Sequence, residues 1–260
     1  MLSENERKDF ADKGFFLRPA FASTTTSSAM LEDVVAICRA AEGAGIHEGT
    51  LIMPENNLSD RVAPSAEERI SKIFRLHRRP VFRDFIEDPR LLGLVTELLG
   101  PRVDCFLSQF IFKNPGAWGQ PWHQDSFYFP FDHTPQIGLW LAISDATLKN
   151  GCLWVLPGSH REPVHAHVTD RRPGANLGYV EIVDHNMSEA IPVLIQAGDL
   201  LVFHSHLMHR SMDNQSDGIR AAMVFHCAKS GTQIRTPVDA PVNDWMALPP
   251  APTPRTRTDD

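Results

Sequence analysis

The chain has 260 residues, a formal net charge of −7 and 42% hydrophobic residues, which is enough apolar content for a sizeable core. This length fits one large domain or two small ones, and a single all-β barrel of this size is ordinary. The acidic balance argues against nucleic acid as a partner, because a nucleic-acid-binding domain presents a basic face. It does not exclude an anionic ligand, since one buried arginine can determine binding locally.

The cysteines and the chain ends predict a cytoplasmic protein. Cys38, Cys105, Cys152 and Cys227 are widely scattered without C-x-x-C spacing, so we expect reduced core thiols and neither disulfides nor a zinc site. The first residues lack the apolar stretch of a signal peptide, and no run is long enough to span a bilayer. The last residues carry no peroxisomal Ser-Lys-Leu address. We therefore expect no membrane partner.

The first hundred residues are predicted to be largely helical. Ser3–Lys13 has a capping box and predicts a helix, and a strand is expected over 14–18. Apolar spacing predicts a second helix over Ser28–Ala44. The polar stretch His47–Ser65 is broken by two prolines and is expected to be an ordered loop near the mouth of a site. Further helical or mixed segments are expected over Glu67–Leu76, Val81–Ile86 and Pro89–Leu99.

Short strands separated by turn residues are predicted from Val103 onward. The expected strands are Val103–Lys113, Trp122–Tyr128, Ile137–Ile143, Cys152–Leu156, Tyr179–Ile182, Ile191–Ile195, Leu200–Phe203 and Ile219–Cys227. About eight such strands indicate a mainly β protein with flanking helices and a closed or nearly closed double-sheet jelly roll. We expect one domain over 1–231, with a helical part over 1–100 and a β core over 101–231. A Pro-rich arm or tail is expected over 232–260.

The stretch Trp122–Asp125 contains a His-x-Asp pair, His123 and Asp125. On an extended segment, alternate side chains point to the same face. Two imidazoles and one carboxylate form the facial triad of non-haem Fe(II) oxygenases, which leaves metal positions open for co-substrate and O₂. The pair alone is a weak signal, because most His-x-Asp pairs are surface or turn residues. The interpretation depends on His209, a further imidazole, and on Arg220, which begins an apolar run from which it could reach the same cavity.

Three segments, Trp122–Phe131, Gly151–His160 and Gly198–Arg220, resemble the phytanoyl-CoA dioxygenase family of Fe(II)/2-oxoglutarate oxygenases. The stretch Asn150–His160 is similar to the family signature NGCLWxxPGSH. The resemblance runs from about Glu6 to Lys229, and it is strongest to the branch of domain-containing proteins. It implies a double-stranded β-helix core of the cupin-like kind.

The resemblance also implies a set of metal ligands. Fe(II) would be held by His123, Asp125 and His209, with 2-oxoglutarate and O₂ as co-substrates. A family pattern, a histidine followed by serine two residues later and arginine eleven residues later, selects His209 with Ser211 and Arg220. The carboxylate of Asp125 favours oxygenation, because related halogenases have a small residue at this position. The region offers three rivals for the third ligand: His204, His206 and His226.

Five residues are matched to the 2-oxoglutarate site. Arg220 corresponds to the residue that receives the distal carboxylate, and a guanidinium pairs with a carboxylate in bidentate fashion. Ser211 is expected to donate a hydrogen bond to the same carboxylate. Lys72, Gln109 and Trp140 match further positions that line the site, although Gln109 replaces a methionine of some relatives. The alternatives are a solvated helix charge for Lys72 and an exposed strand charge for Arg220.

The resemblance predicts a dioxygenase that releases succinate and CO₂ while hydroxylating a small or medium-sized organic substrate. Desaturation, epoxidation or ring formation need only a different substrate pose. No basic cluster suited to the phosphates of a CoA ester is visible, so a secondary metabolite is at least as good a candidate as an acyl compound. The polar loop 161–186 is expected to contact the substrate or to be mobile. A jelly-roll metalloenzyme that does not use 2-oxoglutarate would need no Arg220, and a vestigial binding protein would have lost a ligand.

Overall fold

Antiparallel strands make up most of the fold, and helices cover one face of the larger sheet. The computed structural model describes residues 1–41, 43–58, 65–175, 177–235 and 242–252. The helices are α1 (Glu4–Lys13), α2 (Thr24–Ala40), α3 (Pro80–Ile86), α4 (Pro89–Leu99) and α5 (Asp125–Tyr128). The strands are β1 (Phe15–Arg18), β2 (Gly45–His47), β3 (Thr50–Pro54), β4 (Ile70–Phe74), β5 (Val103–Lys113), β6 (Ile137–Ala142), β7 (Leu153–Val155), β8 (Val168–Thr169), β9 (Val180–Glu181), β10 (Ile191–Val193), β11 (Leu200–His204), β12 (His209–Ser211), β13 (Arg220–Lys229) and β14 (Met246–Ala247).

The strands form two main sheets. The larger sheet has the order β1-β11-β6-β13-β5-β4-β3-β2, and β14 also pairs with β5. The smaller sheet has the order β10-β7-β12, and β8 pairs with β9 as a separate hairpin. Every pairing is antiparallel. The mainly β fold class, with a double-sheet jelly-roll core and flanking helices, is therefore confirmed.

Alternate residues of the larger sheet serve two different cores. On β13, Met223 and Phe225 pack toward the helices, in a core that also contains Val34 of α2 and Leu94 of α4. Val224 points the other way and packs with residues of the smaller sheet. Because strand side chains alternate with period two, every second residue of the central strands faces the space between the sheets. This inner face holds the functional site.

The N-terminal helices follow their capping signals. Ser3 accepts a hydrogen bond from the backbone of Glu6 and closes a capping box, as predicted. The second helix begins earlier than expected, at Thr24, because the side chain of Ser23 caps it by accepting from Thr26. It ends at Ala40, before the predicted boundary at residue 44.

Two segments of the N-terminal half differ from a purely helical or loop structure. The segment Glu67–Leu76, expected to be helical or mixed, begins with a 3-10 turn over Glu67–Arg69 and continues as β4, which inserts between β3 and β5 in the larger sheet. All five of its residues are buried, so a helix-like apolar pattern here reflects burial on both faces. The expected loop His47–Ser65 contains β3, which pairs with β2 and β4, and its residues 59–64 lie outside the described residues.

The segment Trp122–Tyr128 is not a strand. Only His123 makes a β-bridge, and a single helical turn begins at Asp125. Within the predicted loop 161–186, the strand expected over Tyr179–Ile182 is shortened to the two residues of β9. This strand pairs with β8, which is also two residues long. The helical turn matters for the site, because it changes how Asp125 reaches its neighbours.

The C-terminal segment packs against the β core where it is described. Met246 and Ala247 pair with Cys105 and Asp104 of β5. The division of the chain near residue 231 stays a prediction, and residues 236–241 and 253–260 lie outside the described residues. The four cysteines are free and buried, as expected. Within the described part of the chain, none of the helices has the length and apolar character needed to cross a membrane.

Candidate metal and co-substrate site

His123 and His209 lie side by side because their backbones form an isolated β-bridge. The N–H of each residue donates to the carbonyl oxygen of the other, at 2.9 and 3.0 Å. This bridge extends the small sheet beyond β12 and places the two imidazole centroids 4.1 Å apart. Two residues 86 positions apart in the sequence, 123 and 209, are thus fixed next to each other by main-chain hydrogen bonds.

Asp125 reaches the two imidazoles from the first turn of α5, and not along an extended strand as expected from the sequence. Its Oδ1 atom lies 3.6 Å from Nε2 of His123 and 3.7 Å from Nε2 of His209. One ligand atom from each of the three residues falls within 4.8 Å of the others, and all three residues are buried. The arrangement can hold one metal ion on one side, in the manner of a facial triad.

Backbone carbonyls fix both imidazoles in the form that binds metal. Nδ1 of His123 faces the carbonyl oxygen of Pro121 at 2.8 Å, and Nδ1 of His209 faces that of Leu207 at 2.9 Å. A carbonyl oxygen can only accept, so each Nδ1 carries the proton and each Nε2 presents its lone pair. Such a hydrogen bond at the far nitrogen is the usual support of a metal-binding histidine.

The electrostatics of the cluster also suit a cation. Burial by itself would raise the pKa of Asp125, but His209, His123 and His226 together lower that pKa below its ordinary value. Burial and, to a smaller extent, the neighbouring His123 lower the pKa of His209 to about 4, although Asp125 acts in the opposite direction. At neutral pH the carboxylate is therefore ionised and the His209 imidazole is neutral, which are the protonation states of metal ligands.

The three rival histidines lie outside this cluster. His226 is buried beside it, with Nδ1 at 3.7 Å from Oδ2 of Asp125. His204 points toward another part of the molecule, where its Nδ1 accepts from the backbone N–H of His206 at 2.9 Å. His206 faces the carbonyl oxygen of Glu162. The geometry thus favours His209 as the third ligand and places His226 against the carboxylate.

Four of the predicted co-substrate residues share the inner face of the larger sheet. Lys72, Gln109, Trp140 and Arg220 lie on β4, β5, β6 and β13, which are neighbouring strands. Val224 pairs with both Gln109 and Trp140, so register brings these positions to one side of the sheet. Residues from distant parts of the chain therefore line the same cavity as the His-Asp-His cluster.

Arg220 is 1% exposed, which excludes the alternative of an exposed strand charge. Its Nη2 donates to the carbonyl oxygen of Gly151 at 3.1 Å, and the guanidinium lies 5.5 Å from the ring centre of Trp140. Neither Nε nor Nη1 has a hydrogen-bond partner among the described residues. Burial lowers the pKa of Arg220 to about 10, so it stays charged at neutral pH. A buried cation with donors to spare indicates an anionic ligand.

Lys72 is 8% exposed, so the alternative of a solvated helix charge is wrong. Its Nζ lies 4.9 Å from the ring centre of Tyr179, in a cation–π contact. Burial lowers the pKa of Lys72 to about 8, although Asp125 and Glu55 act in the opposite direction. A buried lysine on the wall of the cavity is a second positive group that an anion can approach.

Ser211 has a neighbour that was not predicted from the sequence. Its Oγ accepts from Nζ of Lys113 at 2.8 Å and from the backbone of Gln120 at 2.9 Å, which leaves its own proton to donate. Lys113 is 4% exposed and pairs in register with Arg220. Counting by two along β5 from Gln109 would have reached Lys113 and was the available signal.

The cavity that joins these groups has a volume of about 470 Å³. Two tyrosines lie on its wall: Tyr128, whose sequence position next to the His-x-Asp pair already favoured it as a pocket residue, and Tyr179, which the sequence did not single out. Tyr179 comes from the loop 161–186, as expected of a loop that contacts the ligand space, and Tyr128 lies on α5. The hydroxyl of Tyr128 accepts from the backbone of Val180 at 3.1 Å and so joins the loop to the metal cluster. The cavity walls also carry Phe74, Phe127, Phe129, Trp118 and Phe203.

Comparison with known proteins identifies the family of this chain. A family model described as phytanoyl-CoA dioxygenase (PhyH) matches residues 10–222. Phytanoyl-CoA dioxygenase 1 of Oryza sativa subsp. japonica is 28% identical over 250 residues, which cover 86% of this chain and 88% of that protein. Phytanoyl-CoA dioxygenase domain-containing protein 1 of Rattus norvegicus is 35% identical over 182 residues, which cover 66% of this chain and 61% of that protein. The match thus spans less than two thirds of the rat protein.

Solved structures share the fold. EctD from S. alaskensis superposes with a TM-score of 0.68 at 20% identity, covering 90% of this chain and 79% of that chain. The epimerase SnoN, in complex with Fe³⁺, alpha ketoglutarate and nogalamycin RO, superposes with a TM-score of 0.66 at 17% identity, covering 90% of this chain and 86% of that chain. The resemblance in sequence is confirmed by the family match, and the fold by these structures. The chain therefore belongs to the phytanoyl-CoA dioxygenase family of Fe(II)- and 2-oxoglutarate-dependent oxygenases.

Proposed function

We propose that this protein hydroxylates a small or medium-sized organic molecule, using Fe(II) bound by His123, Asp125 and His209 and 2-oxoglutarate bound near Arg220. One observation carries the proposal. A buried His-Asp-His cluster and a buried arginine with two unused donor atoms line the same cavity. A metal site next to a receptor for a carboxylate is what chelation of a 2-oxo acid at iron requires.

The three residues fit Fe(II). Imidazole and carboxylate are donors that suit this ion, and three of them leave positions open for co-substrate and O₂. Both imidazoles have their Nδ1 atoms held by carbonyl oxygens, so both Nε2 atoms are ready to coordinate. Oδ2 of Asp125 has no hydrogen-bond partner within the described chain. A buried carboxylate oxygen without such a partner is costly unless a cation approaches it.

The opposite wall fits the distal carboxylate of 2-oxoglutarate. Arg220 offers Nε and Nη1, and the adjacent Lys113 places a second buried basic side chain beside it. Burial lowers the pKa of Lys113 well below its ordinary value, and the charge of Arg220 lowers it further. Arg220 and burial therefore disfavour the charged form of Lys113, and an anion bound beside the two side chains would favour it. Ser211 can add its hydroxyl proton, which the contacts from Lys113 and Gln120 leave available to donate.

Bound iron would supply the activation of O₂, coupled to conversion of 2-oxoglutarate to succinate and CO₂. The protein's own residues would hold the ligand geometry, orient the co-substrate and keep water out of the cavity. Trp140 stacks against Arg220 and fixes the direction of the guanidinium. Phe203 packs against His209 with ring centres 5.1 Å apart and so limits rotation of that imidazole.

The cavity favours a small organic substrate. A volume of about 470 Å³ lies within the usual range for small-molecule sites. Aromatic rings form much of the wall, and Glu55, Lys72 and Gln120 add polar groups that can orient a substrate. The alternative of a metalloenzyme that does not use 2-oxoglutarate is less well supported, because it gives the buried Arg220 and Lys113 no ligand to bind.

The test is an anaerobic titration of the Fe(II)-loaded protein with 2-oxoglutarate, in which the weak visible charge-transfer band of the chelate is monitored. We expect the band in the wild type and no band in His209→Ala. Arg220→Met should raise the apparent Kd for 2-oxoglutarate by on the order of 100-fold, the value of a lost charge-assisted bidentate pair.

The matched control is Arg210→Met. Arg210 neighbours His209 in sequence but stacks on Trp122 and Trp154 and does not line the cavity. Its removal should leave the Kd for 2-oxoglutarate within about threefold of wild type. An iron-loaded protein without the band, or equal effects of the two arginine substitutions, would refute the proposal.

A further inference from the structure

A second group of metal-binding side chains lies at the base of the loop 161–186, and the mechanism proposed above does not use it. Glu162, His165 and His185 bring one ligand atom each within 4.8 Å of one another. Nε2 of His165 lies 2.8 Å from Oε2 of Glu162, and Nε2 of His185 lies 3.0 Å from the same oxygen. All three side chains are partly exposed, at 26% for His165, 18% for His185 and 40% for Glu162.

We propose that Glu162, His165 and His185 form a Zn²⁺ site that joins the two ends of this loop. Two imidazoles and one carboxylate are a known ligand set for zinc, with the fourth position left to water. Zinc holds such atoms at about 2.0–2.2 Å, so a tetrahedral site needs donor atoms roughly 3.3 Å apart. The two observed contacts to Glu162 are slightly shorter, and small side-chain rotations would admit the ion.

The hydrogen-bond pattern of His185 argues for a cation. Its Nδ1 faces the carbonyl oxygen of Asn186 at 3.0 Å, while its Nε2 faces the carboxylate of Glu162. Both partners can only accept, but a neutral imidazole has a single N–H to donate. Either the ring is an imidazolium, or Nδ1 keeps the proton and a metal ion lies between Nε2 and the carboxylate. The carbonyl contact at Nδ1 is the support that metal-binding histidines usually have.

The position of the cluster gives zinc a structural consequence. Between the two ligand ends, the loop sends Tyr179 into the cavity, beside Lys72. Gln124, between two of the proposed iron ligands, accepts from the backbone of His165 at 2.8 Å through its side-chain oxygen. Its amide nitrogen donates to the carbonyl oxygen of Pro163 at 3.1 Å. Zinc at the base of the loop would therefore steady a wall of the cavity.

Calorimetric titration with Zn²⁺ tests the proposal, using a protein that carries Asp125→Ala and His209→Ala so that the other cluster cannot bind. We expect one zinc ion per chain. Adding His185→Gln should weaken zinc binding by at least about 30-fold, because one of three protein ligands is lost. The matched control adds His133→Gln instead, since His133 is half exposed and lies outside the cluster, and it should leave the affinity unchanged.

A second readout follows the loop itself. Zn²⁺ should slow tryptic cleavage after Arg171 in the protein with intact Glu162, His165 and His185, and should have no such effect when His185→Gln is present. Absence of a zinc site, or equal binding with and without His185→Gln, would overturn the proposal. Neither result depends on iron or 2-oxoglutarate, so failure here is separate from failure of the proposed oxygenase function.

Discussion

At the scale of single residues, His226 is a histidine that lies beside the His-Asp-His cluster without being one of its three proposed ligands. The sequence offered it as a rival to His209, and it was the spacing pattern of the similar family that selected His209. The structure places it on the inner face of β13, where Nδ1 lies 3.7 Å from Oδ2 of Asp125. His226 therefore lies behind the carboxylate and helps to lower its pKa, while Oδ1 points to the two proposed imidazole ligands.

We expect His226→Gln to weaken Fe(II) binding by about 10- to 100-fold while leaving one iron per chain at saturation, the usual result of losing a support residue. His209→Ala should abolish the site. Anaerobic equilibrium dialysis with iron analysis measures both variants, and thermal melting checks that each is folded. The reverse order of effects would make His226 the third ligand.

Lys72 makes a prediction about pH. Its pKa is about 8 in the folded, ligand-free protein, against an ordinary 10.5, because burial disfavours the charged form. Between these two values the unfolded chain binds more protons, so the free energy of unfolding rises with pH across that interval. Across the whole interval, the lowered pKa of Lys72 changes the free energy of unfolding by about 3 kcal/mol.

The comparison is with Lys72→Met, which has no proton to lose. From pH 7 to pH 10, wild type should gain about 2–3 kcal/mol in unfolding free energy relative to Lys72→Met, as measured by urea unfolding without 2-oxoglutarate. Parallel pH profiles of the two proteins would show that Lys72 is not buried in its charged form.

Several residues of the site could be predicted from the sequence, but the residues that surround them could not. His123, Asp125, His209 and Arg220 stood out because their spacing and the family motifs agreed. Lys113 did not, because only the pairing of β5 with β13 reveals that it adjoins Arg220. Contacts between distant strands are set by register, which a single sequence does not specify.

At the scale of elements, the sequence predicted some strands closely and missed others. The prediction of Val103–Lys113 matches β5 residue for residue. Strand prediction failed at β4, whose five buried residues show no alternation. It also failed at Trp122–Tyr128, where tertiary contacts select a helical turn. Local patterns cannot distinguish a fully buried strand from a buried helix.

Gly138 of β6 tests how closely neighbouring strands approach beside the site. It lies opposite Phe203 of β11, and a Cβ atom at this glycine would overlap the Phe203 ring. That ring packs on His209. Gly138→Ala should therefore lower the free energy of unfolding by about 1–3 kcal/mol, as an overpacked core position does.

Gly93→Ala is the control for this substitution. Gly93 lies within α4, and a new Cβ there would lie 3.6 Å from the backbone nitrogen of Met1, an ordinary van der Waals contact, so alanine fits. We expect a gain of about 0.5–1 kcal/mol, because glycine weakens a helix interior. Urea unfolding measures both variants, and equal values for the two would contradict the close approach of β6 and β11.

At the scale of the whole molecule, the number of predicted strands indicates the jelly roll, but it does not indicate where the helices pack on it. Helices α2, α3 and α4 close the outer face of the larger sheet through residues such as Met30, Phe82 and Leu91. The sequence predicted helices in this part of the chain without indicating which face of the sheet they cover. Their placement depends on contacts between segments that are far apart in the chain, and such contacts leave no local signal.

The C-terminal segment makes the last prediction, that the folded unit extends beyond residue 231. Asp244 accepts two hydrogen bonds from Arg78, at 2.7 and 2.9 Å, and Trp245 packs on Phe106 and Phe131 with ring centres 5.2 and 5.3 Å away. Truncation after Arg235 removes these contacts and should lower the free energy of unfolding by about 2 kcal/mol or more, the scale of a lost aromatic side chain. Truncation after residue 252 keeps them and should change stability by less than about 0.5 kcal/mol. Equal stability of the two truncated proteins in urea would show that the segment is a dispensable arm, as the sequence alone suggested.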